Sequence, residues 1–369
     1  MISHSEPIRV GLIGYGGYGR FLIESWAEMP EIEIRAIAGR NRERLERTAR
    51  RLGIPRFYVG HEALLTDPEI DVVAVTSPPG DHARHAIDVA KAGKHLYCEK
   101  PLATRVEDGE AILDAVRTAG VRGVMGYVMR YTPLAERLRQ IVAEGVLGAL
   151  HRVDLANFAA DECLPPDHWF WNRERSGGIL VEHGVHFFDL YTWIAGSRPV
   201  RVTGHRTIRP GTTQEDRVLA TVEYESGLLA TFYHAFDKPV RLERTWARLG
   251  FDRGYATLTG WIPLCLDVEA AVDEAEYARL IALCPEASVT LHEEYPGPGE
   301  VIRGGGNSYR VTRLIEMRCQ PTLDKQAVYA AAARASLRDL VAAIRNPGHR
   351  VRAPLEAGLE SLRIAASVE

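Results

Sequence analysis

Through the first third of the chain, short apolar runs alternate with amphipathic stretches. IRVGLIG is short enough for a buried strand, and GRFLIESWAEM after it spaces its apolar residues at helical intervals. IEIRAIAG predicts a second strand, followed by a charged helix from Asn41 to about Leu52. DVVAVTSPP predicts a third strand stopped by its prolines, DHARHAIDVAKAGK a helix closed by Gly93, and HLYCEK a further strand. RVEDGEAILDAVRTAG and RGVMGYVMR add one more helix and strand. Strands separated by helices of this length imply right-handed crossovers and a parallel, doubly wound sheet.

The rhythm changes near residue 150. HRVDLANFAA, VRVTGHRTIR, RVLATVEYES, GLLATFYHAF, RTWARLGF and GYATLTGWI are six successive strand-like runs, with a hairpin turn expected at YESGLL. Consecutive strands predict a large, mostly antiparallel open sheet in a second, α+β domain. The last 45 or so residues, rich in Ala, Leu and Arg, predict helices packing back on either domain. The expected division is residues 1–128 and 129–369.

Composition narrows the function classes. The chain has 369 residues, 46% hydrophobic and 25% charged, with a net charge of -4. A mildly acidic balance gives no footing for nucleic acid or an anionic membrane, and basic runs such as GRNRERLERTARR are diluted by Glu. No apolar run approaches membrane-spanning length, and no leader pattern is expected at MISHSEPIRVGLIG. Five cysteines at unpaired spacings predict reduced thiols and a cytoplasmic setting, without a zinc site. Of 45 basic residues only five are lysine, so Lys100 in CEKPLA is slightly marked out for chemistry over simple solvation.

Three constellations carry candidate chemistry. In GLIGYGGYGR, Gly14, Gly16 and Gly19 follow a strand and open a helix as G-x-G-x-x-G. The first glycine suits the tight turn, the second a close pyrophosphate, and the third tight helix–strand packing. Inside a β-α-β unit this predicts a Rossmann dinucleotide site. The second strand ends in AGRNRER, with Arg40 and Asn41 where a carboxylate would favour NAD. Arginines at a helix start are either surface charges or partners of a 2′-phosphate, and their mild cost near a positive dipole end favours NADP over NAD. In SGGILVEHGVHFFDL, helical spacing would put Glu182 and His186 on one face, with His183 and Asp189 near. The group is either a polar helix end or a site; zinc would need a further ligand at other spacing.

Taken in order, GLIGYGGYG, AGKHLYCEKPLA and GGILVEHGVHFFD resemble the signatures of the glucose–fructose oxidoreductase/inositol dehydrogenase (Gfo/Idh/MocA) family. VTSPPGDHARHAIDVAKAG and GYVMRYTPLAERLRQIVAEGVLGAL fit as well, so the resemblance covers about the first 190 residues. It implies a nicotinamide cofactor along the first domain and substrate over the open sheet of the second. It implies that Lys100 is the active-site lysine, often before a cis peptide to Pro101, and His186 the acid/base. Glu182 stands where the family usually has Asp, Pro79 where it has Asn, and His183 at a commonly apolar position. Expected cofactor contacts are Gly14, Gly16, Gly17, Tyr18, Gly19, Arg40, Asn41, Ser77, Pro78, His82, Glu99 and Lys100. Weaker substrate candidates are Tyr127, Arg130, His168, Trp169, Trp171, Asn172 and His183, with interdomain packing the alternative for the tryptophans.

The expected activity is reversible hydride transfer between nicotinamide and a carbinol carbon of a sugar, cyclitol or related polyhydroxy compound. Lys100 would stabilise the developing oxyanion, His186 would move the proton, and Glu182 would orient the imidazole or bind a neighbouring hydroxyl. The rivals are an NAD-dependent glycosidase with transient redox and a non-catalytic NAD(P) sensor. The open sheet leads to an expected homodimer or homotetramer.

Overall fold

The computed structural model describes residues 6–368, which fall into two compact units. The first comprises residues up to 131 together with 166–189 and 329–366. The second comprises 132–165, 190–328 and the final residues. No single cut in the chain separates them, because the chain returns twice to the first unit.

The first unit is built on six parallel strands: β1 (Ile8–Ile13), β2 (Ile32–Gly39), β3 (Arg56–Val59), β4 (Val72–Val75), β5 (His95–Cys98) and β6 (Gly123–Met125). Their order is β3-β2-β1-β4-β5-β6, so the chain reverses direction across the sheet between β1 and β4. Helices α1 (Gly17–Trp26), α2 (Arg42–Leu52), α3 (Glu62–Leu65), α4 (Pro79–Lys91) and α5 (Val106–Ala119) make the crossovers. The central strands are buried on both faces, β1 at all but Arg9 and β4 entirely, as a sheet covered on each side requires. An open sheet of this order binds ligands beyond the carboxyl ends of β1 and β4, at the switch point.

The second unit opens with α6 (Pro133–Ala143) and β7 (Leu150–Ala160). Helix α7 (Arg173–Ser176) and the first residues of α8 (Val185–Ala195) belong to the first unit, and α8 enters the second after Asp189. Next come β8 (Pro199–Ile208), β9 (Glu215–Tyr224), β10 (Leu229–Lys238), β11 (Arg244–Phe251), β12 (Gly254–Thr259) and β13 (Cys265–Val272). The unit closes with α9 (Glu274–Leu283), β14 (Ser288–Glu294), β15 (Glu300–Gly304), β16 (Asn307–Val311) and β17 (Arg313–Cys319). Nine of these strands form one sheet in the order β14-β17-β13-β12-β11-β7-β10-β9-β8, antiparallel except at β7–β10. β9 alternates buried and half-buried positions without a break, the mark of a sheet covered on one face. The six runs read from sequence are β7 to β12; β13, β14 and β17 are additional. β14 (SVTLHEE) is exposed along nearly its whole length, so no apolar alternation signals it.

Helices α10 (Lys325–Arg345) and α11 (Leu355–Ala366) close the chain, as its Ala/Leu/Arg-rich composition predicts, and residues 329–366 join the first unit. Trp26 Nε1 donates to Ala333 O at 3.0 Å, and α11 packs on α5 and β6. No described helix is long and apolar enough to cross a membrane.

Candidate active site

The glycine loop has the backbone that its spacing demands. Gly14 sits at φ 101°, and a Cβ there would stand 2.6 Å from Thr76 O. A Cβ on Gly19 would meet Gly14 O at 2.6 Å, so α1 can approach β1 only with glycine at that position. Gly16 and Gly17 face open space, and no acidic side chain lies in the first turn of α1. Backbone N–H groups at a positive helix end with room above them make a pyrophosphate cradle. Tyr18 instead turns into an aromatic cluster, its ring 5.6 Å from Phe21 and 6.0 Å from Tyr329.

A cleft of about 540 Å³ adjoins this loop, lined by Tyr15, Arg20, Asn41, Arg44, Arg47 and Arg51 among others. Tyr15 covers the end of β2 so closely that a Cβ on Gly39 would lie 2.3 Å from its ring. The Arg44 guanidinium stands 5.5 Å from the Tyr15 ring centroid. Asn41 caps α2, its Oδ1 accepting from Arg44 N at 2.9 Å. Arg40 is exposed and is not among the cleft residues, so the basic lining comes from α1 and α2 and not from the strand tip. Glu43 in the first turn of α2 contributes one carboxylate.

Beyond β4, Ser77 meets α4 at two points. His85 Nδ1 lies 2.8 Å from Ser77 Oγ, and His82 Nε2 lies 2.7 Å from Ser77 O. His82 Nδ1 is also 2.7 Å from Pro101 O; burial lowers the pKa of His82, and its neutral ring donates to one of these two carbonyls. Pro78 and Pro79 start α4, where a missing N–H costs nothing.

The chain leaves β5 through Glu99, Lys100 and a cis peptide to Pro101. Glu99 is only 4% exposed, and a Cβ on Gly126 would lie 2.2 Å from its Oε1. Burial raises its pKa to about 8, so at neutral pH it is mostly the neutral acid. Lys100 points outward. Its Nζ donates to Glu182 Oε1 at 2.6 Å and to Glu182 O at 2.8 Å, with both side chains part-exposed at 18% and 14%.

Glu182 lies on a π-helical turn, Leu180–Gly184, that runs into α8. This corrects the regular helical spacing expected from sequence, since a π turn shifts which residues share a face. His186 stands at the start of α8, buried, with its ring 5.9 Å from that of His183 and 6.4 Å from that of Tyr127. Asp189, one turn on, takes both Nε and Nη2 of Arg130 at 2.8 and 2.6 Å. With Arg130 Nη1 donating to Arg352 O and the residue 6% exposed, that guanidinium is spent on the interior. Tyr127 is likewise internal, 1% exposed with its hydroxyl 2.5 Å from Ser361 Oγ. His168 and Asn172 cap the short helical turns at 169–171 and 173–176. Trp169 and Trp171 are half-buried. Among the described residues no His/Cys/Asp/Glu group is placed to hold a metal ion.

A glycine cradle at the switch point and a lysine–carboxylate pair at the next strand end are the parts of a Rossmann dinucleotide site with a candidate active site beside it. The chain belongs to the Gfo/Idh/MocA family: residues 8–127 match its "Oxidoreductase family, NAD-binding Rossmann fold" and residues 135–254 its "GFO/IDH/MocA C-terminal domain". It is 31% identical to D-xylose 1-dehydrogenase (NADP(+)) 2 of Haloferax volcanii over 65% of this chain and 74% of that one. It is 28% identical to the uncharacterized oxidoreductase YrbE of Bacillus subtilis, over 61% and 66% of the two chains. For the myo-inositol 2-dehydrogenase of Thermotoga maritima the figures are 29%, 51% and 55%. The chain thus spans from about half to three quarters of these relatives' lengths. In fold it is similar to levoglucosan dehydrogenase in complex with NADH and L-sorbose, with a TM-score of 0.79 at 21% identity over 98% and 95% of the chains.

Proposed function

We propose that this protein transfers hydride between a nicotinamide dinucleotide and a carbinol carbon of a sugar, cyclitol or related polyhydroxy compound. The observation that carries the reading is Lys100, projected from the carboxyl end of β5 and held by Glu182. When bound, the nicotinamide supplies the hydride acceptor or donor. The residues fit such a cofactor, because Gly16 and Gly17 leave room for a pyrophosphate at the start of α1. An ammonium has three N–H donors; Glu182 takes two, and the third is left for a substrate oxygen. In that position Lys100 stabilises negative charge on the oxygen as the carbon loses hydride. His186 takes the hydroxyl proton and returns it in the reverse direction. Glu182 fixes the ammonium, and His168, Trp169 and Trp171 line the approach of the polyol.

For the cofactor we favour NADP(H) over NAD(H), on the guanidinium groups of Arg20, Arg44, Arg47 and Arg51 around the cleft beside Tyr15. The open sheet face exposes Leu229, Trp246 and Tyr255, which supports a homodimer or homotetramer that buries them. Five free cysteines suit a reducing, cytoplasmic setting. The test is a panel of sugars, cyclitols and ketones with each cofactor, read at the nicotinamide absorbance. Net cofactor turnover with at least one polyol is expected. Glycoside cleavage without net reduced cofactor, or cofactor binding with no turnover across the panel, would overturn the proposal.

A further inference from the structure

We infer that His85 is a positioning residue: it donates to Ser77 Oγ and so turns the serine hydroxyl's own proton outward, toward an acceptor oxygen of the bound dinucleotide. The inference rests on the dinucleotide reading of the Gly14–Gly19 site. Its ground is the order of donors and acceptors along one short chain of contacts. Arg84 Nη2 lies 3.2 Å from His85 Nε2. A guanidinium can only donate, so Nε2 must be the ring's lone-pair nitrogen. The ring is kept neutral by burial first, and then by the neighbouring His61 and Arg84, with its pKa lowered to about 4. A neutral ring with a bare Nε2 carries its proton on Nδ1, which faces Ser77 Oγ at 2.8 Å. Ser77 Oγ is therefore an acceptor toward His85, and its own hydrogen is free to point elsewhere.

The surroundings hold this polarity in place. The imidazole of His61 packs edge-on against His85 at 4.5 Å between centroids, and its Nε2 is bound to Asp88 Oδ2 at 2.8 Å. The backbone carbonyl of Ser77 faces His82 Nε2 at 2.7 Å, separately from the side-chain contact. Ser77 is half-buried at the carboxyl end of β4, so its hydroxyl is both anchored and reachable. Among groups facing His85, Arg84 is the donor and Ser77 the acceptor, while Asp88 is engaged by His61.

Two measurements test it. Long-range proton–nitrogen spectra of the cofactor-free protein should show His85 as the Nδ1–H tautomer; an Nε2–H tautomer would overturn the inference whatever the enzyme's activity. Cofactor affinity, read by NADPH fluorescence, then tests the consequence. Ser77→Ala and His85→Leu should each weaken NADPH about fivefold to tenfold, as loss of one oriented hydrogen bond does. His85→Asn keeps an N–H at the Nδ1 position and should restore most of that affinity. His85→Asp accepts the serine proton instead, so it should bind as weakly as Ser77→Ala, and adding Ser77→Ala to it should change nothing further. ADP-ribose locates the acceptor: equal weakening of both ligands places it on the pyrophosphate or a ribose, and weakening of NADPH alone on the nicotinamide group or the 2′-phosphate, which ADP-ribose lacks. Asn and Leu variants of equal affinity would sink the polarity argument. A wild-type protein that binds neither ligand would instead refute the dinucleotide reading and leave the tautomer result standing.

Discussion

Replacing Lys100 by Met removes the ammonium and keeps most of the side chain's length and apolar contact. Two effects follow, and the structure separates them. The first is catalytic. One fixed donor at a developing oxyanion is worth about a hundredfold to a thousandfold in kcat, or about 3–4 kcal/mol. The second is structural. Glu182 loses its partner at 2.6 Å while its side chain is only 14% exposed. An ion pair near 4 Å at an effective dielectric of ~20 gains roughly 4 kcal/mol, most of it offset by desolvation, so about 1–3 kcal/mol of stability is expected to be lost. The double variant Lys100→Met/Glu182→Gln removes both charges together and should recover most of that stability. It should not recover turnover. Thermal unfolding, NADPH fluorescence and steady-state turnover on the best polyol of the panel read the three quantities independently. Cofactor affinity should stay within about threefold, because the Gly14–Gly19 cradle lies on other elements. A Lys100→Met enzyme that turns over within threefold of wild type would refute the role given to Lys100.

Other expectations follow from named contacts. Glu99 holds its proton to about pH 8 when folded. The unfolded chain releases that proton near pH 4.3, so stability falls as pH rises between these limits, by up to about 1.4 kcal/mol per unit. Glu99→Gln should stabilise the protein at neutral pH and flatten that slope in thermal melts; an unchanged slope would exclude Glu99 as its source. Gly19→Ala drives a Cβ to 2.6 Å from Gly14 O and should cost about 1–3 kcal/mol, together with cofactor binding. Arg44→Ala should weaken NADPH more than NADH, whereas Arg40→Ala, away from the cleft, should matter less; equal loss for both cofactors counts against the 2′-phosphate assignment. Trp246→Glu on the open sheet face should lower the mass in solution, and a wild-type monomer at micromolar concentration would remove the reason for that expectation.

Much of this architecture is legible because it is local. The alternation of strand and helix to Met125 and the hairpin at Gly227 follow from patterns within a dozen residues, and so does the glycine cradle. The exceptions are β3 and α3, four residues each, since β3 has no buried position to mark it and DVVAVTSPP, read as the third strand, is β4. What escapes the sequence depends on partners far along the chain. Arg130 looks like a substrate ligand until Asp189, 59 residues on, takes its guanidinium. Tyr127 is turned inward by Ser361, 234 residues away. The π turn at Leu180–Gly184 leaves no signature in LVEHG, yet it sets where Glu182 meets Lys100. The arginines beside the glycine loop were visible as a basic run. That Arg44 and Arg47, and not Arg40, line the cleft follows from the phase of α2, which its cap at Asn41 fixes. His85 had no motif to mark it; only the contact with Ser77 does.

Direct hydride transfer from the carbinol carbon to nicotinamide, assisted by Lys100, is tested most squarely with a polyol carrying deuterium on that carbon. Oxidised cofactor, enzyme and this substrate are incubated, and the reduced nicotinamide is recovered and weighed by mass spectrometry. One deuterium per molecule of reduced cofactor is expected, with a slowed rate against the unlabelled polyol and no product from Lys100→Met. Deuterium lost to water, or retained on a product formed without net reduced cofactor, would contradict it.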